Sequence, residues 1–290
     1  MTERASSVAA KEATHLFRGD IKVVPSDHFI DIEDVYFSYP ESNVLALEGA
    51  SISVKRSEFV CILGPSGCGK STLLNILSGL FVPSRGRVSI DGDMIFNNGQ
   101  MISDKLPRIG YVFQDDRLLP WKTVRRNIEL ALKSAGIPKS NWDEIVNRFL
   151  NLCGIGQYAD AWPGNLSGGQ RKRAAIARAM AIDPASLLMD EPFSTLDEVN
   201  ARFLRRELLD LWSKTKQTIL FVTHSVREAV FLADTIYIMT KGPAKVLERL
   251  TIDVPRPRYY EDPKLTEIEG NIISSVLHHW GYYEPDQVQG

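Results

Sequence analysis

Cysteine is scarce in this chain. Three of 290 residues are cysteines, Cys61, Cys68 and Cys153, and their spacing fits no metal site. Neither a zinc module nor a disulfide framework is encoded, and a reduced cytosolic setting is expected. Long hydrophobic runs are missing as well: no stretch approaches the ~18 consecutive apolar residues of a membrane span. Met1-Thr2-Glu3-Arg4-Ala5-Ser6-Ser7 lacks the apolar core of a secretion signal. Nor is there an excess of either charge. The 34 basic and 36 acidic residues leave a formal charge of −2, so no global attraction to nucleic acid exists and no nucleic-acid partner is expected. No long internal repeat and no low-complexity tract occurs. The remainder is ordinary, 44% hydrophobic and 24% charged, which suits a soluble globular chain of one large domain or a main domain with an appendage.

Within that plain composition, Gly64-Pro65-Ser66-Gly67-Cys68-Gly69-Lys70-Ser71-Thr72 fits G-x-x-x-x-G-K-[ST], a loop that cradles nucleotide phosphates. The pattern is short, so its context decides. Glu58 to Leu63 before it is an apolar run of strand type, and Ser71 to Leu80 after it carries Leu73, Leu74, Ile76 and Leu77 at helical spacing. Strand, glycine loop and helix is the order that anion binding requires: backbone N–H groups turn onto the phosphates and the helix N-terminus adds its positive end. Lys70 is then expected to reach the β- and γ-phosphates and the Ser71 hydroxyl to ligate Mg²⁺. Cys68 lies beside that positive helix end and an ammonium, which predicts a reactive thiolate; an inert, buried space-filler is the alternative.

Residues 1–26 lack sustained periodicity and are expected to form a flexible lead-in. From Phe29 to Val54, β-rich segments (29–32, 35–39 and 50–54) surround a turn-like Pro40-Glu41-Ser42-Asn43, predicting antiparallel sheet. Tyr39 suits either adenine stacking or a plain strand face. Val88 to Phe96 reads as a hairpin turning at Asp91-Gly92. Ile109 to Phe113 is a strand that ends on Gln114. From Leu118 to about Pro163 the spacing turns helical, broken at Gly136-Ile137-Pro138, and predicts an inserted helical subdomain. Leu166-Ser167-Gly168-Gly169-Gln170 closes it, before a helix from Arg171 to Ala181. Ala185 to Asp190 has the continuous apolar character of a buried parallel strand and exits on Asp190 and Glu191. Asp190 is placed to support Mg²⁺ and Glu191 to polarise a water, although two acids at a strand exit also suit a solvated turn. A helix over 198–213, a strand from Thr218 ending at Thr223-His224, and a strand over 235–239 follow. Lys241 to Gly290 holds a β-like piece, Pro255-Arg256-Pro257-Arg258 and a helix over 262–277.

Taken together, these elements resemble an ABC-transporter ATPase subunit. Gly64 to Thr72 looks like the family's Walker A, Gln114 like its Q-loop and Leu166 to Gln170 like its signature. Leu187 to Glu191 looks like Walker B, Ser194-Thr195-Leu196-Asp197 like the D-loop, and His224 like the switch histidine. They occur in the family's order between about 29 and 250, and Tyr39 matches its adenine-stacking aromatic. Asp116-Arg117-Leu118-Leu119-Pro120-Trp121, Glu228 to Asp234 and Asp253 to Arg258 further resemble the nitrate/sulfonate/taurine import branch. Gln170 stands where that branch often has Met, and Thr195 where Ala or Gly is common.

The resemblance implies an α/β fold: a P-loop NTPase core with a mixed sheet, an antiparallel β subdomain and an inserted α-helical subdomain. It divides the chain into the lead-in at 1–26, an ATPase domain at 27–250 with its helical part at about 115–175, and a tail at 251–290. Glu191, His224 and Gln114 would carry catalysis; Ser71, Gln114 and Asp190 would hold Mg²⁺. The nucleotide would meet Tyr39, the loop from Gly64, Pro65, Ser66, Gly67, Cys68 and Gly69 to Lys70, Ser71 and Thr72, and, from the opposite subunit, Ser167, Gly168, Gly169 and Gln170. Asp197 would link the two sites. The implied assembly is a head-to-tail homodimer bound to membrane permease subunits and served by a periplasmic or extracellular solute-binding protein. It would be peripheral on the cytoplasmic face of the membrane, and Leu119-Pro120-Trp121 would dock. A soluble ABC ATPase would carry tandem cassettes or a long coiled coil, and a phosphate-loop kinase an arginine-bearing lid in place of Leu-Ser-Gly-Gly-Gln. Glu191 and His224 speak against a regulator without turnover.

Overall fold

A computed structural model describes residues 28–40, 44–103 and 106–281, the side chain of His278 excepted. The expected lead-in, most of the 40–43 turn and the last residues of the tail lie outside them. Strand alternation builds the first sheet. β1 (Ile30–Ser38) buries Ile30, Ile32, Val35 and Phe37. The inward parity changes between Ile32 and Val35, where the register shifts and Asp34 takes φ 51, so the two expected segments are one strand with a bulge. With β2 (Leu45–Val54), β4 (Arg85–Ile90), β5 (Asp93–Asn97) and β6 (Gln100–Met101) it forms an antiparallel sheet of order β2-β1-β4-β5-β6. Asp91 and Gly92, both at positive φ (57 and 81), make the β4–β5 turn.

The second sheet is the one that positions chemistry. β3 (Phe59–Leu63), β7 (Ile109–Val112), β8 (Ser186–Asp190), β9 (Thr218–Thr223), β10 (Thr235–Met239) and β11 (Val246–Thr251) lie in the order β11-β10-β3-β9-β8-β7. All neighbours are parallel except β10 and β11. Its central strands are apolar throughout because both faces are covered. Val60, Ile62, Leu188, Leu220 and Val222 pack with the antiparallel sheet and α1 (Lys70–Leu77). Their neighbours Phe59, Cys61, Leu63, Leu187, Met189 and Phe221 face the other core, formed with helices.

Those helices are α2 (Val124–Ser134), α3 (Trp142–Leu152), α4 (Gly168–Ala181), α5 (Glu198–Thr215), α6 (Val226–Leu232) and α7 (Pro263–His279). The break at Gly136-Ile137-Pro138 separates α2 from α3, as its glycine and proline require. The segment beyond residue 250 shares the helical core: Ile252, Val254, Leu265, Ile272, Val276 and Trp280 are all buried in it. The buried Arg258 donates to the carbonyls of Val230, Phe231 and Ala233 at the end of α6 and to those of Val254 and Ile252. A guanidinium fork thus caps α6 and fixes the Pro255–Arg258 strap against it.

Candidate active site

Parallel strands end at one edge, and here the ends are level. Leu63 of β3 pairs with Thr223 of β9, Asp190 of β8 with Val222 of β9, and Val112 of β7 with Met189 of β8. The residues just beyond, Gly64, His224 and Glu191 directly after their strands and Gln114 two places after Val112, therefore leave the sheet side by side, where ligands bind in open α/β sheets.

The loop after β3 wraps the start of α1. Among the described α-helices, α1 alone has neither a side-chain N-cap nor an acidic residue in its first turn. Its positive N-terminus is left for an anion. It faces a cavity of ≈ 750 Å³ lined by Tyr39, residues 66–72, Gln114, Glu191 and Gly242-Pro243. Gly69, at φ 122, is required twice over: a Cβ there would lie 2.6 Å from the Ala46 carbonyl. Gly67 opens onto the cavity at φ 76.

Lys70 is almost fully buried. Its Nζ donates to the carbonyls of Gly64 (2.9 Å) and Pro65 (3.0 Å) and lies 3.3 Å from Glu191 Oε1. Ser71 Oγ donates to Asp190 Oδ1 at 2.9 Å. Burial pushes the Asp190 carboxyl above its usual range, against the pull of the Ser71 hydroxyl. His224 Nδ1 is 2.8 Å from Glu191 Oε2, so the Nδ1–H tautomer donates to the carboxylate. Glu191 sits at φ 42, a left-handed conformation costing about 1–2 kcal/mol in a non-glycine residue, and its N–H is held by the Val222 carbonyl at 3.0 Å. Such strain concentrates where a side chain must be aimed. Gln114 Nε2 donates to Ser194 Oγ (3.2 Å), which in turn donates to the Glu191 carbonyl (3.0 Å). Tyr39 OH meets Thr72 Oγ1 at 2.8 Å, and its ring stands edge-on to Phe37 and Phe81.

Chemically the cluster suits a magnesium nucleotide. No group of three His, Cys, Asp or Glu side chains among the described residues could hold a metal by itself. Mg²⁺ asks for less, one or two hard oxygens completed by phosphate and water, and Ser71 Oγ with Asp190 Oδ1 would fit as that donor set.

Several expected residues sit elsewhere or act differently. Ser167, Gly168, Gly169 and Gln170 line no part of the cavity around Lys70. They form the N-terminus of α4, closed by a capping box: Ser167 Oγ accepts from Gln170 N–H (3.3 Å) and Gln170 Oε1 accepts from Ser167 N–H (2.8 Å). A methionine at 170 would lack that acceptor. The exposed Asp197 is the N-cap of α5, its oxygens taken by Asn200. The reactive thiolate expected at Cys68 is a correction. The residue is 2% exposed, and a Cβ on Gly64 would come 2.9 Å from its Sγ. Burial raises its pKa and outweighs the pull of Lys70. Leu118 likewise joins the core, whereas Trp121 beside it stays 67% exposed. The sequence reading missed Lys172, a buried cation that holds the Gln114 loop. Its spacing with Ala175, Ile176 and Ala179, all on one helix face, was the available signal.

Residues 47–194 match the ABC transporter family model. The chain is 43% identical over 238 residues to an uncharacterized ABC transporter ATP-binding protein of Methanocaldococcus jannaschii, covering 82% of this chain and 86% of that one. It is 41% identical over 253 residues to the nitrate import ATP-binding protein NrtD of Synechococcus elongatus, covering 85% and 90%. Among solved structures it resembles a dimeric post-hydrolysis ATP-binding cassette bound to ADP and Pi, with a TM-score of 0.66, 30% identity, and 78% and 100% coverage. Strand-edge geometry, family model and relatives agree, and the chain belongs to the ABC transporter ATP-binding family, as an ATP hydrolase.

Proposed function

We propose that the chain powers an importer for a small anion of the nitrate, sulfonate or taurine type, working as a homodimer with two ATP sites at its interface. One observation carries the shared site: Lys70, Ser71, Asp190, Glu191, His224 and Gln114 converge, while the glycine-headed N-terminus of α4 lies outside their cavity. A second copy would bring Ser167, Gly168 and Gly169 onto the γ-phosphate, the anion-binding physics of a helix N-terminus used again. Gly64 to Thr72 would hold the phosphates, Tyr39 the adenine, and Ser71 with Asp190 the Mg²⁺, which supplies charge neutralisation on the phosphates when bound. Glu191 accepts the proton of the attacking water, and His224, already fixed to Glu191, turns its other ring nitrogen toward the γ-phosphate. Gln114 positions the water, and Asp197 sits where the two copies meet. The anion class rests on the nitrate relative and on the 116–121 and 228–234 stretches. Trp121, standing in water, supports docking of membrane subunits nearby. No described helix is long and apolar enough to cross a membrane, so passage of solute falls to partner subunits on whose cytoplasmic side this chain would sit.

Glu191→Gln tests the core of this reading. It keeps the shape and removes the base, so ATP still binds while turnover falls by roughly 10²- to 10⁴-fold. The stalled variant elutes as a dimer only with ATP on size exclusion. Wild-type turnover would remove Glu191 from the chemistry. Anion-stimulated ATPase activity in the complex reconstituted with its permease tests the solute class.

A further inference from the structure

The loop that bears Gln114 and the helix that bears the Ser167–Gln170 turn are far apart in sequence and joined by a buried cation. Lys172, in the second turn of α4, is 1% exposed. Its Nζ donates to the carbonyls of Gln114 (2.9 Å) and Phe113 (3.3 Å) and lies 3.0 Å from Asp116 Oδ1. An ammonium has three donors, and here each has an acceptor. Burying it without them would leave an uncompensated charge out of water, so the fit is specific rather than incidental.

Two further cations of the same helix grip the same loop. Arg171 Nε donates to Asp116 Oδ2 at 3.2 Å while its Nη1 donates to the Leu166 carbonyl at 2.6 Å. Arg178 donates to the carbonyls of Asp116 (2.9 Å) and Arg117 (2.5 Å). The loop has no ladder or helix to satisfy its backbone, and α4 side chains take over that task. Of the three, Lys172 is the one bonded to Gln114 itself.

We infer that Lys172 is a positioning residue for ATP hydrolysis, making the Gln114 loop and the Ser167–Gln170 turn one rigid unit. When that turn closes on a nucleotide, Gln114 is carried with it. The inference rests on the role proposed for Gln114 above.

The test uses the full chain and four variants, read by steady-state ATPase kinetics and by hydrogen exchange. Lys172→Met lowers kcat roughly 10- to 100-fold, as loss of an outer-sphere support does, with KM for ATP little changed. Amides at 113–117 and 166–170 exchange faster together. Lys172→Arg, which keeps the charge, recovers part of kcat. Asp116→Asn, milder because it leaves the ammonium in place, gives the same pattern more weakly and serves if Lys172→Met does not fold. Gln114→Ala lowers kcat to a similar level, and adding Lys172→Met to it lowers kcat no further. A lower melting temperature with wild-type kcat and exchange in Lys172→Met or Asp116→Asn makes Lys172 a structural plug and overturns the inference alone. Wild-type kcat in Gln114→Ala refutes the Gln114 reading and the inference with it.

Discussion

Burial, rather than neighbouring charge, sets the chemistry of Cys68. A helix N-terminus and the Lys70 ammonium both favour a thiolate, and in water they would prevail. In the fold the sulfur lies under Gly64, and desolvation lifts the thiol above its ordinary range. Cys61 is raised further and Cys153 is pushed up to about 12, both by burial. The native chain at pH 7 is therefore expected to keep its ATPase activity through a maleimide treatment that labels every cysteine once the chain is unfolded. Mass spectrometry of the native sample checks this, and rapid labelling at Cys68 would restore the exposed-thiolate reading. Lys70 and Glu191 show the opposite case: their identities were legible in the motifs, and the fold adds what they touch, the Gly64 and Pro65 carbonyls for Lys70 and His224 for Glu191. Asp197 and Gln170 were legible only by family likeness, and the structure adds local work for each at a helix start: Asp197 as the N-cap that accepts from Asn200 N–H, and Gln170 as the third helical residue that reaches back to Ser167 N–H.

At the scale of elements, one buried ion pair fastens three of them at the site. Arg205 of α5 donates to Glu228 Oε1 of α6 at 2.8 Å, Thr223 at the end of β9 donates to Glu228 Oε2, and Tyr260 of the tail accepts from Arg205. Burial pushes the Glu228 carboxyl up while Arg205 pulls it down. Thr223 precedes His224, so this pair sets where the histidine leaves its strand. Breaking it from one side strands the other charge, and Glu228→Gln is expected to cost about 3–5 kcal/mol. Arg205→Met on top of Glu228→Gln should recover much of that loss in urea melts, because the stranded guanidinium is gone. Losses that simply add would show that the two do not act as a pair. The sequence made α4, α5 and α7 readable through their 3.6-residue period, but α6 is too short for a period to register, and nothing local marked Glu228 as buried.

For the whole molecule, the proposed sharing of each site between two copies predicts that two dead variants complement each other. Glu191→Gln alone and Ser167→Phe alone should both lack turnover as homodimers. In a mixed dimer one site combines both defects, and the other joins an intact Glu191 with an intact Ser167, so mixing should restore ATPase activity. If each chain completed its own site, the mixture would stay dead. The sequence by itself determined the chemistry and the elements: the phosphate loop, the acids after an apolar strand, the helical insertion and the Asp91-Gly92 turn are written in residue type and local spacing. Short-range sterics and hydrophobic period act within a few residues, so they can be read without a fold. Tertiary structure decided what lies beside what. Parallel pairing of β3, β7, β8 and β9 in level register gathers Gly64, Gln114, Glu191 and His224 from across some 160 residues, since strand register is fixed by packing between elements distant in the chain. The same packing sends Lys172 under the Gln114 loop and folds the tail into the helical core, because each buried charge and apolar face must find its partner in space and not along the chain.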